Sequence, residues 1–235
     1  MTAHLRAFLL LSLSTAAAAP AAAAERNFGI TGFEKVRVEG PFKVTLTTGV
    51  PPFARASGTP TALEAVSIDM LGSTLVVRLK RSGSWGGYPG AANGPVEIAL
   101  GTHELSAASL NGAGSLAIDR ASSFRFDLSV NGSGSARIAA VAVDQLRVAI
   151  VGSGSAGLTG SAGKLTATVS GSGALDGAAL ETKDAAIVAD GSATVRLAVS
   201  NGAKIDANGA SSVELSGGPA CTAKTVGSAS VSGCR

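Results

Sequence analysis

The sequence is poor in the residues on which most catalytic and metal sites depend. It contains two histidines, two cysteines, one tryptophan and one tyrosine in 235 residues. His4 lies in the apolar N-terminal segment, so a Ser-His-Asp or Cys-His arrangement would depend on His103 alone. Zinc sites bring several His and Cys ligands together, and only the two cysteines are available. The sequence therefore predicts no catalytic residue, no metal site and no bound cofactor.

Charged residues are also scarce. They make up 15% of the chain, the formal net charge is +3, and no block of like charge occurs. Such a small excess gives no electrostatic support for binding nucleic acid or an acidic membrane. The glycine-rich stretch Gly152–Gly157 is not followed by the Lys-Ser/Thr pair of a phosphate-binding loop. We expect no nucleic-acid partner.

The N-terminus has the features of an export signal. Met1–Arg6 carries one arginine, Ala7–Ala19 is uncharged and apolar, and Ala22–Ala24 fits the small-x-small pattern of a cleavage site. The apolar run is shorter than the roughly 20 residues of a membrane span, and no second run of that length follows. We predict a signal peptide at residues 1–24 and an exported chain from Glu25, without an integral membrane segment, in the periplasm or at the cell surface.

What the sequence does contain is a glycine-centred repeat. The string Asn-Gly-x-Gly-Ser recurs, and its first glycine returns at steps of 20, 20, 19, 20, 18 and 18 residues. The glycines of this column are Gly112, Gly132, Gly152, Gly171, Gly191, Gly209 and Gly227. Asn or Asp often precedes them, and Asx-Gly pairs are typical of corners that require positive φ. We therefore expect a backbone corner at each glycine.

Apolar residues occupy fixed positions relative to that glycine. Two residues before it stand Leu110, Val130, Ile150, Val169, Ala189, Ala207 and Thr225, and four after it stand Leu116, Ala136, Ala156, Leu175, Val195, Val213 and Val231. Polar residues alternate with these columns, which is the period of a β-strand. Coils stacked at about 4.8 Å would align each column into one interior. Glycine, serine and threonine are too frequent for helices.

The predicted fold is all-β, a single-stranded parallel β-helix with about 18–20 residues per coil, right-handed by the crossover rule. Residues 25–235 form the solenoid domain, with the glycine-marked coils at 110–235. Residues 25–109 lack the glycine repeat but contain alternating strands, and we expect them to hold a β-rich N-terminal cap and the first strands, because a solenoid needs an atypical terminal unit. Ser82–Gly94 is predicted to be a loop.

Three segments together resemble a known family. A Val-x-Val-x-Gly-Pro-Phe-x-Val segment at Val36–Val44, interpreted as a hairpin, is followed by a strand at Leu75–Val77 and by the Asn-Gly-x-Gly-Ser coils. This is similar to the bacterial auto-transporter adhesin head domains called GIN domains, over about Phe33 to Arg235. The resemblance implies a parallel β-helix in the cell envelope and brings no catalytic residues with it.

Cys221 and Cys234 lie at the C-terminus and permit a single intramolecular pairing. Because an exported protein meets an oxidising compartment, we predict a disulfide that fixes the last coil. A reactive or metal-binding pair is the alternative.

Two features are candidate ligand contacts. Trp85 and Tyr88, in a glycine-rich segment, could stack on sugars or anchor a partner, or instead fold over the end of the solenoid. Two serine-rich columns, one and three residues after the marker glycine, are expected to point outward on a flat strip. Their central members are Ser133, Ser135, Ser153 and Ser155. Regular hydroxyls suggest an ice-binding surface, although small residues also suit tight corners.

The carboxylates do not indicate an enzyme. Asp119, Asp127, Asp144, Asp176 and Asp206 fall in different columns, whereas sugar-cleaving β-helices need clustered acids. We therefore predict a non-catalytic envelope protein that acts as a binding, adhesion or structural module. A polysaccharide-active enzyme and an ice-binding solenoid are the alternatives. A glycan or an envelope protein is the expected partner, and self-association is left open.

Overall fold

The computed structural model describes residues 24–80 and 95–235, and nearly all regular structure in these ranges is β-strand. The elements are β1 Ala24–Phe28, β2 Lys35–Glu39, β3 Lys43–Thr48, β4 Phe53–Gly58, α1 Pro60–Glu64, β5 Val66–Leu71, β6 Thr74–Leu79, β7 Glu97–Thr102, β8 Ala107–Gly112, β9 Ser115–Gly132, β10 Ser135–Gly152, β11 Ser155–Gly171, β12 Ala174–Gly191, β13 Thr194–Gly209, β14 Ser212–Ser216, β15 Ala220–Gly227 and β16 Ser230–Ser232. All of these strands join one sheet. The predicted all-β solenoid is confirmed.

The long strands stack in parallel, one coil on the next. Gly132 of β9 lies opposite Gly152 of β10, which lies opposite Gly171 of β11. The same register joins β12 to β11 and β13 to β12. Equivalent residues of the repeat are therefore neighbours in space, and the predicted spacing of 18–20 residues per coil is confirmed.

Each marker glycine forms a corner, as predicted. The seven glycines of the column have φ values between 77° and 115°. From Gly132 onward each corner also stacks tightly on the preceding one; a Cβ built on Gly152, for example, would lie 2.6 Å from the carbonyl oxygen of Gly132. Where Asn or Asp precedes the glycine in two adjacent coils, the side chains also interact: Nδ2 of Asn131 donates to Oδ1 of Asn111 at 2.9 Å, and Nδ2 of Asn208 donates to Oδ1 of Asp190 at 2.6 Å. The glycine of the Asx-Gly pair thus permits the positive φ of the corner, and the Asx side chain hydrogen-bonds to the neighbouring coil.

The apolar columns face a single continuous core. Leu116, Ile118, Val130 and Ile150 are at most 2% exposed. The core extends without a break from Phe33 to Leu215. Phe126 is the largest of the fully buried side chains. The alternation that predicted strands therefore also identified the core residues, because successive side chains of a strand point to opposite faces.

The interpretation of Val36–Val44 as a hairpin is wrong. β2 and β3 do not pair with each other; β2 pairs in parallel with β6 and β8, and β3 with β7 and β9. Gly40 lies between them with φ 125°, and its N–H donates to the carbonyl of Asn111 at 2.9 Å. Gly40 is thus an earlier member of the glycine column, and β2–β3 is a coil of the solenoid.

Residues 25–109 contain both the first coils of the solenoid and the strands that cover its end. The two coils are β2–β3 and β6–β7. The strands that cover the end are β5, which pairs antiparallel with β6, β4, which pairs antiparallel with β7, and β1, which pairs antiparallel with β4. The short helix α1 packs here and buries Ala62 and Leu63. Antiparallel strands thus end the parallel stack.

The last coil is tied by the predicted disulfide. Cys221 of β15 is bonded to Cys234, with 5.7 Å between their Cα atoms. β15 pairs with β13 and β16 pairs with β14. Ala223 and Thr225 occupy inward columns but are exposed, since no coil covers them in the described structure. The disulfide therefore holds the coil that has a partner on one side.

Candidate functional site

The four serines singled out from the sequence are exposed, as predicted, but they do not share a flat strip. Ser133 and Ser153 lie in the bends that follow the marker glycines, whereas Ser135 and Ser155 begin the next strands. Their backbone N–H groups donate to glycine carbonyls of the preceding coil. The two columns therefore flank a corner, and only Ser135 and Ser155 lie on a strand face.

Trp85 and Tyr88 lie outside the described residues. His103 is exposed in a bend after β7. Across residues 24–80 and 95–235, no three His, Cys, Asp or Glu side chains come close enough together to hold a metal ion. Within the same ranges, no helix has the length and apolar content needed to cross a bilayer.

The strand face that carries Ser135 and Ser155 contains a groove of about 680 Å³. We call it the arginine groove, and its central lining residues are Ser135, Arg137, Ser155, Gly157, Thr159 and Arg196. It arises where the outward column five residues after the marker glycine reads Ala117, Arg137, Gly157, Asp176 and Arg196. Because Gly157 has no side chain, the column has a gap at this position. The gap forms part of the groove, and no long loop is needed to build its walls.

Arg137 extends over the gap. A Cβ atom built on Gly157 would lie 3.9 Å from Cζ of Arg137. Arg137 forms no ion pair within the described part of the chain, and Asp176, the carboxylate of the same column, pairs with Arg196 at 3.1 Å. Asp176 is further held by the N–H of Ala178 at 3.3 Å. Among the described residues, the charge of Arg196 is therefore neutralised by Asp176, whereas the guanidinium N–H groups of Arg137 have no acceptor.

The hydroxyl groups beside Arg137 are also available. Within the described ranges, Oγ of Ser135 and Oγ of Ser155 form no hydrogen bond with the protein, and both residues are exposed. In contrast, the backbone of β10 and β11 is paired with a neighbouring strand on both sides. The groove thus offers side-chain donors and hydroxyls on a rigid floor, and no free strand edge.

A second groove, of about 780 Å³, crosses the other corner of the coils. We call it the phenylalanine groove, after Phe124, whose side chain is 67% exposed at one end. Its floor is one register column, Ser123, Val143, Ala162, Thr182 and Val199. Asp144, Glu181 and Lys183 stand along its banks. This groove is mainly apolar at the floor and polar at the rim.

Neither groove was identified by sequence reasoning. The signal for the arginine groove was present, because alignment on the glycine column places Gly157 alone among larger outward residues. Phe124 was visible as a second phenylalanine two residues before the buried Phe126. What the alignment lacked was the position of the second corner, which determines which side chains line a common surface.

A parallel β-solenoid with antiparallel strands over one end and outward grooves defines the structural class. The chain belongs to the family described as "Putative auto-transporter adhesin, head GIN domain", whose sequence profile matches residues 32–219. The resemblance stated from the sequence is therefore confirmed. No curated protein matches the chain significantly.

Solved structures share the fold. A "putative adhesin" from Bacteroides fragilis has a TM-score of 0.75 at 14% identity, covering 90% of this chain and 96% of that one. A "Putative lipid binding protein" from Parabacteroides distasonis has a TM-score of 0.71 at 15% identity, covering 92% and 98%. A "putative adhesin" from Parabacteroides merdae has a TM-score of 0.67 at 13% identity, covering 92% and 97%. At such identities the likeness concerns the fold alone.

Proposed function

We propose that the chain is an exported, non-catalytic binding module of the cell envelope, which presents the outer face of the solenoid to a ligand or partner surface. The observation that carries this proposal is the arginine groove, where a guanidinium and two hydroxyls without partners among the described residues lie on a strand face with a fully paired backbone. Rigid elements hold binding groups more accurately than loops do. Membership of an adhesin-head family supports the same function.

The test is binding without turnover. The exported protein is incubated with envelope fractions, peptidoglycan and a panel of polysaccharides, and both bound protein and released fragments are measured. We expect saturable binding to at least one material with no shortening of the polymer. Cleavage of a polysaccharide that is lost in the Asp144→Asn or Asp176→Asn variant would replace this proposal with the enzyme alternative.

The candidates Trp85 and Tyr88 are tested in the same assay. If this segment contacts the ligand, Trp85→Ala weakens binding, because an aromatic side chain that a partner buries contributes a large share of the binding free energy. Leu71→Ala is the control, because Leu71 is an exposed apolar residue outside both grooves. The ice-binding alternative predicts thermal hysteresis that disappears when Ser153 and Ser155 are replaced by bulky residues, and normal freezing of the wild-type solution would reject it.

A second candidate ligand is an acyl chain in the phenylalanine groove. The floor residues Val143, Ala162 and Val199 are apolar, and Phe124 is exposed beside them. A structural neighbour is named a lipid binding protein. Displacement of a fluorescent fatty acid, abolished by Phe124→Ser and unchanged by Phe53→Ser, would favour this ligand. Absence of fatty-acid binding would reject it.

A further inference from the structure

The arginine groove has a charge that suits a single carboxylate. Asp176 neutralises Arg196 at 3.1 Å, which leaves the charge of Arg137 uncompensated by the described residues. A guanidinium binds a carboxylate through two parallel N–H···O bonds, and such charged hydrogen bonds are about twice as strong as neutral ones. A singly charged carboxylate balances this site, whereas a doubly charged phosphate would leave a negative charge unpaired.

The surroundings of Arg137 favour a ligand rich in hydroxyl groups. Ser135 and Ser155 lie one coil apart on the same column, with their hydroxyls free to donate and accept. An extended peptide would instead bind through its main chain to an open strand edge. β10 and β11 have no such edge, because each is paired on both sides. The groove therefore matches a polyhydroxylated ligand better than a peptide.

The shape of the groove favours an extended ligand. It crosses the coils from Ser115 to Arg196, and successive coils are about 4.8 Å apart. Gly157 leaves the floor flat beneath Arg137, and Ala174 and Ala178 offer small apolar surface further along. A sugar ring has one polar edge and an apolar C–H face, so a chain of sugars can contact both kinds of surface at once.

We propose that the arginine groove binds an acidic glycan, with the uronate carboxylate on Arg137 and sugar hydroxyls on Ser135 and Ser155. This rests on the proposed binding function and names its ligand class. The site was not among the contacts predicted from the sequence, apart from the two serines.

The test is calorimetric titration of the exported protein with oligogalacturonate, using dextran, poly-glutamate and dextran sulfate as comparison ligands. Arg137→Gln is expected to weaken oligogalacturonate binding about tenfold or more, the effect of losing a charged hydrogen-bonded contact. Gly157→Leu is expected to block the groove sterically at an ordinary φ. Thermal melting of each variant checks that it is folded.

Arg147→Gln is the matched control. Arg147 is exposed on the same strand β10, outside the arginine groove, and its replacement removes the same charge. We expect less than a twofold change. An equal loss in both arginine variants would overturn the proposal, because it would show an effect of net charge alone.

The comparison ligands show which chemical class of ligand the arginine groove binds. No binding of oligogalacturonate to the wild-type protein would overturn the proposal. Equal binding of poly-glutamate would overturn the assignment to a glycan, and tighter binding of dextran sulfate would overturn the assignment to a carboxylate. Envelope binding that is unchanged by Arg137→Gln would sink this inference while the proposed function stands. Oligogalacturonate binding without any envelope binding would reject the proposed function while this inference stands.

Discussion

At the scale of single residues, the corner glycines meet two separate demands. Gly152 has φ 110°, a region that L-residues with side chains rarely adopt. Its Cα also faces the carbonyl of Gly132 so closely that a Cβ would lie 2.6 Å from that oxygen. Conformation and packing therefore select the same residue, and the column repeats because every coil makes the same corner.

Gly152→Ala is expected to destabilise the protein by about 2–3 kcal/mol, from a disfavoured φ and overpacking against the previous coil. Urea denaturation measures this change. Gly157→Ala is the control, since Gly157 has no positive φ and the nearest atom to its new Cβ would be 3.9 Å away. Equal destabilisation in both variants would contradict the explanation.

Asp69 makes a pH-dependent contribution to the stability of the folded state. The hydroxyl of Ser67 donates to Oδ2 of Asp69 at 2.7 Å, and Arg78 pairs with the same oxygen at 3.0 Å. These interactions lower the pKa of Asp69. A lowered pKa stabilises the folded state above the unfolded pKa, near 4, and this stabilisation is lost as the pH falls through the folded pKa.

Asp69→Asn is therefore expected to lower the free energy of unfolding at pH 7 by a few tenths of a kcal/mol, because the pair is half exposed. Denaturation at pH 7 and pH 3 measures the difference between wild type and variant. The difference should shrink at pH 3. A larger difference in acid would contradict the assignment.

At the scale of elements, the coils keep register at the glycine corner and absorb their length differences elsewhere. Register shifts lie between Ile138 and Val141 of β10, and between Gly177 and Glu181 of β12. Both are on the glycine-distant side of the coil, between residues that line the arginine groove and residues that line the phenylalanine groove. Coils of 18 and 20 residues can thus stack, because β-bulges accommodate the extra residues.

The C-terminal element depends on its disulfide. Replacing both Cys221 and Cys234 by serine is expected to lower stability by about 3 kcal/mol in the chain-entropy model. Since β15 and β16 contact the rest of the solenoid on one side, hydrogen exchange should accelerate there and remain slow in β10 and β11. Uniform acceleration throughout the chain would show that the last coil does not open separately.

At the scale of the whole molecule, the order of coils along the axis differs from their order in the sequence. β2–β3 comes first in the chain but lies between the β6–β7 coil and the β8–β9 coil. From β8 onward the two orders agree. The described chain therefore begins at the capped end with β1, enters the stack at β2–β3, returns to the capped end through β4–β7, and extends the other end from β8.

The regular part should tolerate removal of a whole coil. Deleting residues 153–171 joins Gly152 to Ser172 and restores the same repeat, so β10 can pair with β12. We expect a β-rich circular dichroism spectrum and cooperative melting, because repeat stability is a sum of coil and interface contributions. Deleting residues 153–162 should abolish cooperative melting, and survival of both deletions would contradict a register-dependent stack.

The sequence by itself determined the coil length, the glycine corners, the inward columns and the disulfide. Each of these depends on a strand's period of two, on the φ that glycine permits, or on the single pairing available to two cysteines. The family resemblance followed from the same repeats. These local rules act identically in every coil, so the features that they produce can be recognised from the sequence alone.

Only the tertiary structure decided the rest. Gly40 precedes Gly112 by one coil in space but by 72 residues in sequence, so its place in the column was invisible to spacing. The gap at Gly157, covered by Arg137, depends on which residues the register places side by side. The physical reason is that pairing between distant strands is set by the packing of the whole chain, whereas alternation and turn formation are set within each strand.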